Sequence, residues 1–459
     1  MQPVQGGHQG SMKMFSIIWF GQLLSLIGSG LTSFALGIWI YKQNDSVTQL
    51  TLISLFTTIP GLVTGPLIGA LVDRWDRRIV MILSDLVSAL SILTMALLYF
   101  SNLLAFWHIC FGVAINSITG AFFWPAYHAS TALLVPTKQL GRAGGMNEIA
   151  YAATQLIAPI LGAALLNGIG LSAIFMIDGI SFLLALSTLL FVRIPTLTSA
   201  EAAKPKASLW REALYGWTYI RARNGLLALL IFAVVTRFVM GSVNILATPL
   251  VLAFSNEQTL GTIMSIGGVG AVIGSIAMTS WGGPKRRIYG VLGGELIGGI
   301  CILIAGLKPS IPLFGIAIFI YLLRWPIGLI SNQAIWLSKI APEVQGRVLS
   351  IRQLIGFSAL PLSYVVSGPL VDNVLEPLFA PGGGLANSVG QLIGIGPGRG
   401  IAFLFVLMGT LVIVASIVGF MNPRLRMVEQ ELPDVRASSM AQPEVRTHEH
   451  EPVIETSAI

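Results

Sequence analysis

Five ionisable side chains, Asp85, Asp178, Arg237, Glu295 and Arg324, fall inside long apolar runs of a 459-residue chain in which only 10% of residues are charged. A charge at the centre of a spanning helix costs about 2.5–3.5 kcal/mol, so such residues face a wet cavity or one another and mark ion, proton or substrate paths. Arg237 and Arg324 lie near the middle of their runs, Asp178 toward the end away from the basic loops, and Asp85 and Glu295 toward the end beside them. The last two are expected to brace those loops. Asp178 is the leading candidate for a carboxylate that exchanges a proton, with Arg237 or Arg324 as its partner in one state only. Glu295, Asp85 and His128 stand behind it; His128, three residues beyond Pro125, is either a proton carrier or a hydrogen-bonding packing residue. No HExxH, GxSxG or GxxxxGK[ST] occurs. A metallohydrolase, a nucleophile elbow and a nucleotide-driven pump therefore lack the residues that build them, and neither metal nor cofactor is expected.

The elements that must hold these side chains are apolar helices. The chain is 54% hydrophobic and carries 50 glycines, and its mean hydropathy is +0.80. Apolar stretches fall at 14–40, 48–72, 79–100, 105–134, 146–167, 171–192, 226–254, 260–281, 288–307, 311–338, 349–371 and 400–421. Each approaches or exceeds the roughly 20 residues a helix needs to cross hydrocarbon. None alternates as a barrel strand would, so the fold class is all-α integral membrane with twelve spans. The first run is too long for a signal-peptide core and is expected to stay as the first span.

The 27 lysines and arginines set the orientation. Only Lys42, Lys308 and Arg399 fall at one end of the spans, Arg237 and Arg324 fall within them, and the rest cluster at the other end. Basic loops stay inside, so both termini are expected in the cytoplasm of a bacterial inner membrane. The net charge of +7 then reports topology, with no nucleic-acid partner implied. Cys110 and Cys301 lie in separate spans and give no disulfide framework.

The polar break at 194–225 divides the chain into a bundle at 14–193 and a bundle at 226–421, preceded by residues 1–13 and followed by a tail at 422–459 expected to be disordered. Within the break, Trp210, Leu214, Trp217 and Ile220 recur at helical spacing opposite Arg211, Glu212 and Arg223, as on a helix lying on a membrane surface. The bundles echo each other. Arg77-Arg78-Ile79 matches Arg286-Arg287-Ile288 at an offset of 209, and the segments around Pro125 and Pro326 repeat near 200. A parallel duplication implies two bundles facing across a central cavity. Gly61, Gly65 and Gly69, and again Gly290, Gly294 and Gly298, recur every four residues as in close helix packing. The run GGVGAVIGS (267–275) is read the same way, since no strand precedes it. The 373–400 segment, with eight glycines, is expected to be a flexible connection.

The stretch GALVDRWDRR (69–78) resembles the hallmark loop of the major facilitator superfamily: Gly, three residues, Asp, Arg, then a basic pair. Shorter motifs, GQLLSLIGSGLTSFALGIWIY (21–41), AFFWPAY (121–127), MIDGISFLLA (176–185) and APEVQGRVLS (341–350), resemble the branch containing macrolide-efflux proteins and enterobactin exporters. The resemblance implies two six-helix bundles working by alternating access, with Gly65, Gly69, Asp73, Arg74, Arg77 and Arg78 as gating residues. Asp73 would receive a helix N-terminus and the arginines would bind lipid phosphates or carboxylates of the facing half. Topology alone would account for the arginines but not for Asp73. QLIAPILGAAL (155–165) resembles the antiporter signature of exporters, with Ala158 where that pattern has Gly.

These residues together predict a monomeric, secondary-active exporter of an amphipathic small molecule, a drug, macrolide or siderophore-like compound, driven by the proton gradient. A lysophospholipid flippase or an uncoupled permease of the same fold is the alternative, and an intramembrane enzyme the alternative of another class. The substrate is expected between spans 1, 4, 7 and 10, on Ser29, Thr32, Asn116, Trp124, Asn244 and Asn332 together with Arg237 and Arg324.

Overall fold

The computed structural model describes residues 12–72, 75–136, 139–192, 209–341 and 344–431. Twelve helices are long and apolar enough to cross a membrane. Six come first: α1 (Met12–Asn44), α2 (Val47–Val72), α3 (Arg77–Phe100), α4 (Phe106–Leu134), α5 (Leu140–Gly168) and α6 (Gly170–Phe191). After the short α7 (Leu209–Arg221) come α8 (Asn224–Leu252), α9 (Glu257–Trp281), α10 (Arg287–Leu307), α11 (Ile311–Lys339) and α12 (Gln345–Leu370). A π-helical turn at Val371–Leu375, α13 (Glu376–Phe379) and α14 (Gly390–Ile393) lead to α15 (Arg399–Met421), and α16 (Pro423–Arg426) and α17 (Val428–Glu431) follow. With no water in hydrocarbon to take up free backbone groups, helix is the conformation in which each apolar run satisfies itself.

The packing repeats across the two halves. In the first, α1 packs on α5 and α6, α2 on α4, and α3 on α4 and α6; in the second, α8 packs on α12 and α15, α9 on α11, and α10 on α11 and α15. Mapping α1–α6 onto α8–α12 and α15 carries each pairing into its counterpart. Even a loop contact repeats: Arg77 donates to the Ala129 carbonyl on α4, and Arg287 to the Ala334 carbonyl on α11. Between the halves α5 packs on α9 and α2 on α12. In the intervening helix α7, Ile220 is fully buried while Leu214 and Trp217 are exposed, and Gly216 lies against the Arg347 carbonyl of α12.

The glycine ladders are only partly packing devices. Gly61 meets α4 closely, its N–H donating to Ser117 Oγ at 2.9 Å, but a Cβ on Gly65 would meet nothing within 4 Å. In α10, Gly290 and Gly298 are crowded, the latter by the Arg324 guanidinium, whereas Gly294 is open. The tightest glycine seam is 267–275, where Gly267, Gly270 and Gly274 lie directly against α11. A Cβ on Gly274 would fall inside contact distance of the Leu323 carbonyl oxygen, and backbone cannot swing aside. Gly274→Leu should therefore abolish recovery of folded protein, and Gly65→Leu should leave it near wild type, as read by monodisperse yield after detergent extraction.

Two connections are more ordered than expected. In the glycine-rich 373–400 segment the Glu376 carboxylate accepts from the N–H groups of Gly398 and Ile401, capping α15, while Phe379, Ile393 and Arg399 are buried. The tail expected to be disordered over 422–459 is helical at its start. Leu425 and Val428 are buried against the second bundle, and Glu429 accepts from the Ile288 N–H at the start of α10. Residues 432–459, 1–11 and the linker segment 193–208 lie outside the described residues.

Candidate functional site

A cavity of about 560 Å³ opens among α1, α2, α3, α4 and α6, closed on its far side by Asn244, Ile245 and Thr248 of α8 and Tyr364 of α12. The sequence supplies its lining as hydroxyl and amide side chains spaced three or four apart on otherwise apolar helices. Ser25, Ser29 and Thr32 do so on α1, Ser54 and Thr58 on α2, and Ser84 and Ser88 on α3, so each helix presents one polar stripe. Phe34, Phe123, Trp124 and Phe182 supply aromatic walls. Two carboxylates stand in this lining, Asp85 on α3 and Asp178 on α6, and no lysine or arginine accompanies them.

Both carboxylates are almost fully buried, Asp85 5% and Asp178 0% exposed. Gln22 Nε2 donates to Asp85 Oδ2 at 3.0 Å, and Ser29 Oγ donates to Asp178 Oδ1 at 3.2 Å. Asp178 Oδ2 and Thr32 Oγ1 have no hydrogen-bond partner. A buried carboxylate surrounded by neutral hydroxyls, with no basic side chain against it, is arranged to accept a proton or a cation.

Ser29, Thr32, Asn116, Trp124 and Asn244 line this cavity, but Asn332, Arg237 and Arg324 do not. The expected frame of spans 1, 4, 7 and 10 is corrected accordingly: span 10, α11, gives no lining residue, while α2, α3 and α6 do. Arg324 is 4% exposed and in this conformation pairs with Glu295 at 2.9 Å across α10 and α11, not with Asp178, so Glu295 meets an arginine within the span where a loop contact was expected. Asp85 likewise meets Gln22 within the bundle and no loop arginine. Arg237 lies over the Phe357 ring at 4.3 Å, and Asn332 accepts from Arg352. His128 is exposed and stacks on Trp124, with ring centroids 5.8 Å apart. Sequence reasoning passed over Gln22, Ser84, Ser88, Thr119 and Tyr364; the three- and four-residue spacing of hydroxyls in apolar runs was the available signal.

Several hydrogen bonds and an ion pair join the halves from mid-span toward the end away from the basic loops. Ser265 Oγ donates to the Leu156 carbonyl, Lys42 pairs with Glu257, and Asp372 accepts from Ser46 Oγ and from the N–H groups of Val47 and Thr48. Asp372 of the second half therefore caps the first turn of α2 in the first. These contacts hold the two halves together at that end. The expected gate residues at the basic end act within their own half: Arg78 donates to the carbonyls of Leu189 and Leu190 at the end of α6, and Arg77 to Ala129. Carbonyls of α4 and α6 take up these arginines in this conformation, where lipid phosphates or carboxylates of the facing half were expected. Asp73 and Arg74 lie outside the described residues, and Gly69 stands within the last turns of α2.

Loss of a capping carboxylate costs a helix about 0.5–2 kcal/mol, a roughly two- to thirtyfold change in an equilibrium that the cap favours. Asp372→Ala should shift the protein toward opening of the end away from the basic loops by that factor. The check is maleimide labelling of Thr48→Cys in a background without Cys110 and Cys301, which should accelerate in the Asp372→Ala variant.

The Major Facilitator Superfamily model matches residues 18–364. Macrolide efflux protein A of Streptococcus pyogenes is 31% identical over 367 residues, covering 78% of this chain and 90% of the relative. Multidrug efflux pump Tap of Mycolicibacterium fortuitum is 26% identical over 377 residues, covering 78% and 88%. A solved bacterial homolog of the human lysosomal transporter Spinster, in an inward-facing and unoccupied conformation, is similar in fold, with TM-score 0.69 over 92% of this chain and 99% of that one at 15% identity.

Proposed function

The chain belongs to the Major Facilitator Superfamily, and from that premise we propose that it is a secondary-active exporter of amphipathic molecules bearing a protonated amine, exchanged for protons by alternating access. The observation that carries this reading is the cavity with two buried carboxylates, many hydroxyls, aromatic walls and no cationic side chain. A substrate's apolar body fits the aromatic walls, its hydroxyl and carbonyl groups fit the polar stripes, and its ammonium fits Asp178 or Asp85. A catecholate siderophore would bring negative charge to two carboxylates and is disfavoured. The efflux relatives, one named for macrolides, support export as the direction.

The excess of lysine and arginine at the end with the basic loops supports a cytoplasmic position for it and for both termini. On this reading Lys42–Glu257 and Asp372 act as the outward latch. Substrate enters from the cytoplasm or inner leaflet and binds ionised carboxylate. When the outward side opens, external protons neutralise the carboxylates and release the cation. Asp85 and Asp178 thus hold either protons or substrate, which links the proton gradient to the direction of net movement.

The test is accumulation in cells with and without the protein of four compounds: a macrolide bearing a dimethylamino sugar, the same macrolide with its amine removed, a catecholate siderophore, and a lysophospholipid. The amine-bearing macrolide should accumulate less, and its amine-free form and the siderophore should be unaffected. Selective export of the siderophore or lysophospholipid would replace this reading with the corresponding alternative.

A further inference from the structure

The first bundle brings the cavity two acids without a base, and the second bundle carries the converse nearer the basic end. Arg237 on α8 lies seven residues, two helical turns, from the cavity-lining Asn244, and Phe357 on α12 lies two turns from the cavity-lining Tyr364. The same faces of α8 and α12 therefore continue from the cavity toward the basic end. Arg237 rests on the Phe357 ring with Cζ 4.3 Å from its centroid and lies against α12 at Gly356, one turn from Arg352. Arg352 in turn rests over Trp336 at 4.9 Å and donates from Nη2 to Asn332 Oδ1 at 3.2 Å. Both guanidiniums therefore border the same turn of α12. Neither has a carboxylate partner among the described residues. The fully buried Trp336 also has its indole N–H without a hydrogen-bond partner.

Two half-buried guanidiniums, an amide and a free indole N–H make a cluster rich in donors and poor in acceptors. Arginine is set out to supply anions with paired, planar hydrogen bonds, and the aromatic beds hold each fork in place without neutralising it. Two like charges inside a spanning bundle are costly unless an anion meets them. Glu295, a half-buried acid in a span of the second bundle, is already paired with Arg324.

We propose that Arg237, Arg352 and Asn332 form a subsite for a phosphate or carboxylate group carried by the transported amphipath, on the wall of the cleft belonging to the second bundle. The inference rests on the cleft being the substrate path and extends the substrate class to zwitterions, with the ammonium at the acids and the anion at the arginines. An anion of the same chemistry could also arrive as a phospholipid headgroup, and the test separates the two sources.

The full-length protein in phosphatidylcholine nanodiscs is titrated calorimetrically with phenyl phosphate and, separately, with phenyltrimethylammonium, two probes with the same ring and opposite charge. Wild type should bind both. Arg237→Gln and Arg352→Gln should each weaken phenyl phosphate at least tenfold and leave phenyltrimethylammonium unchanged, the second probe reporting that the variant is folded. Arg352→Lys, which keeps the charge and loses the fork, should fall between. Asp178→Asn should show the opposite selectivity. Failure of phenyl phosphate to bind wild type, or equal binding by both glutamine variants, overturns the subsite. Failure of phenyltrimethylammonium alone overturns the amine reading and leaves the subsite standing. Including phosphatidylglycerol in the discs should not suppress phenyl phosphate; suppression would assign the anion to lipid and overturn its assignment to the substrate.

Discussion

Asp178→Asn should abolish concentrative, gradient-driven transport while sparing exchange of substrate down its own gradient. The isostere keeps an oxygen for the Ser29 hydroxyl, so α1 and α6 lose no contact, but the side chain can no longer exist as an anion. A coupled exporter needs a group whose occupancy by proton or substrate differs between its two states, and the coupling free energy disappears with that group. Asp178 is 0% exposed, lines the cavity and has one carboxylate oxygen free. Proteoliposomes containing the variant should equilibrate labelled substrate at a measurable rate but never accumulate it, whatever pH gradient is imposed. Retained accumulation would make Asp178 a packing residue and pass the role to Asp85, which shares the cavity. Asp85→Asn should by contrast lower transport without eliminating coupling, because the Gln22 amide already engages one oxygen of that carboxylate.

Among the charged residues the largest effect on stability is expected at Glu295. Its 2.9 Å pair with Arg324 joins α10 to α11, and the arginine is 4% exposed with its Nε unpartnered. Removing one member of a buried pair strands the other charge and typically costs about 3–5 kcal/mol. Glu295→Ala should lower the midpoint of thermal unfolding in detergent by several degrees or more, and Glu295→Gln should do less harm because it keeps an oxygen against the guanidinium. The double variant Glu295→Met with Arg324→Leu should recover most of the loss, since a packed apolar pair of similar volume carries no desolvation cost. If that double variant is stable and still coupled, the ion pair is a strut of the second bundle, separate from the proton path. A stable double variant that has lost coupling would return Glu295 and Arg324 to the coupling residues.

The spans were legible because hydrocarbon imposes one rule on every segment, a length of apolar helix, and charged loops interrupt it wherever the chain meets water. The duplication was legible from Arg77–Arg78 and Arg286–Arg287, and the structure repeats it down to the carbonyl that each loop arginine meets. Partner choice was not legible. Whether Arg324 turns toward Asp178 or Glu295 depends on the rotation of α11 about its axis, and a sequence carries that only as a faint stripe. Gly65 shares its four-residue spacing with Gly61, yet inclined helices touch over a limited length, so one glycine is in contact and the next is open. The glycine count of 373–400 suggested flexibility because it hid one carboxylate, Glu376, whose capping of α15 orders the segment. Leu425 and Val428 sat within a polar tail, where two apolar residues at a three-residue spacing are too short a pattern to announce a docked turn.

The central claim, that protons and an amine-bearing amphipath compete for the same two buried carboxylates, is tested most directly in proteoliposomes that hold a pH-sensitive dye and an externally added amine-bearing macrolide. With the lumen more acidic than the medium, protons should leave as macrolide enters through correctly oriented protein, and the two movements should start together. In the Asp85→Asn, Asp178→Asn double variant both should stop. Macrolide accumulation with no accompanying movement of protons, or undiminished accumulation by the double variant, would contradict the account.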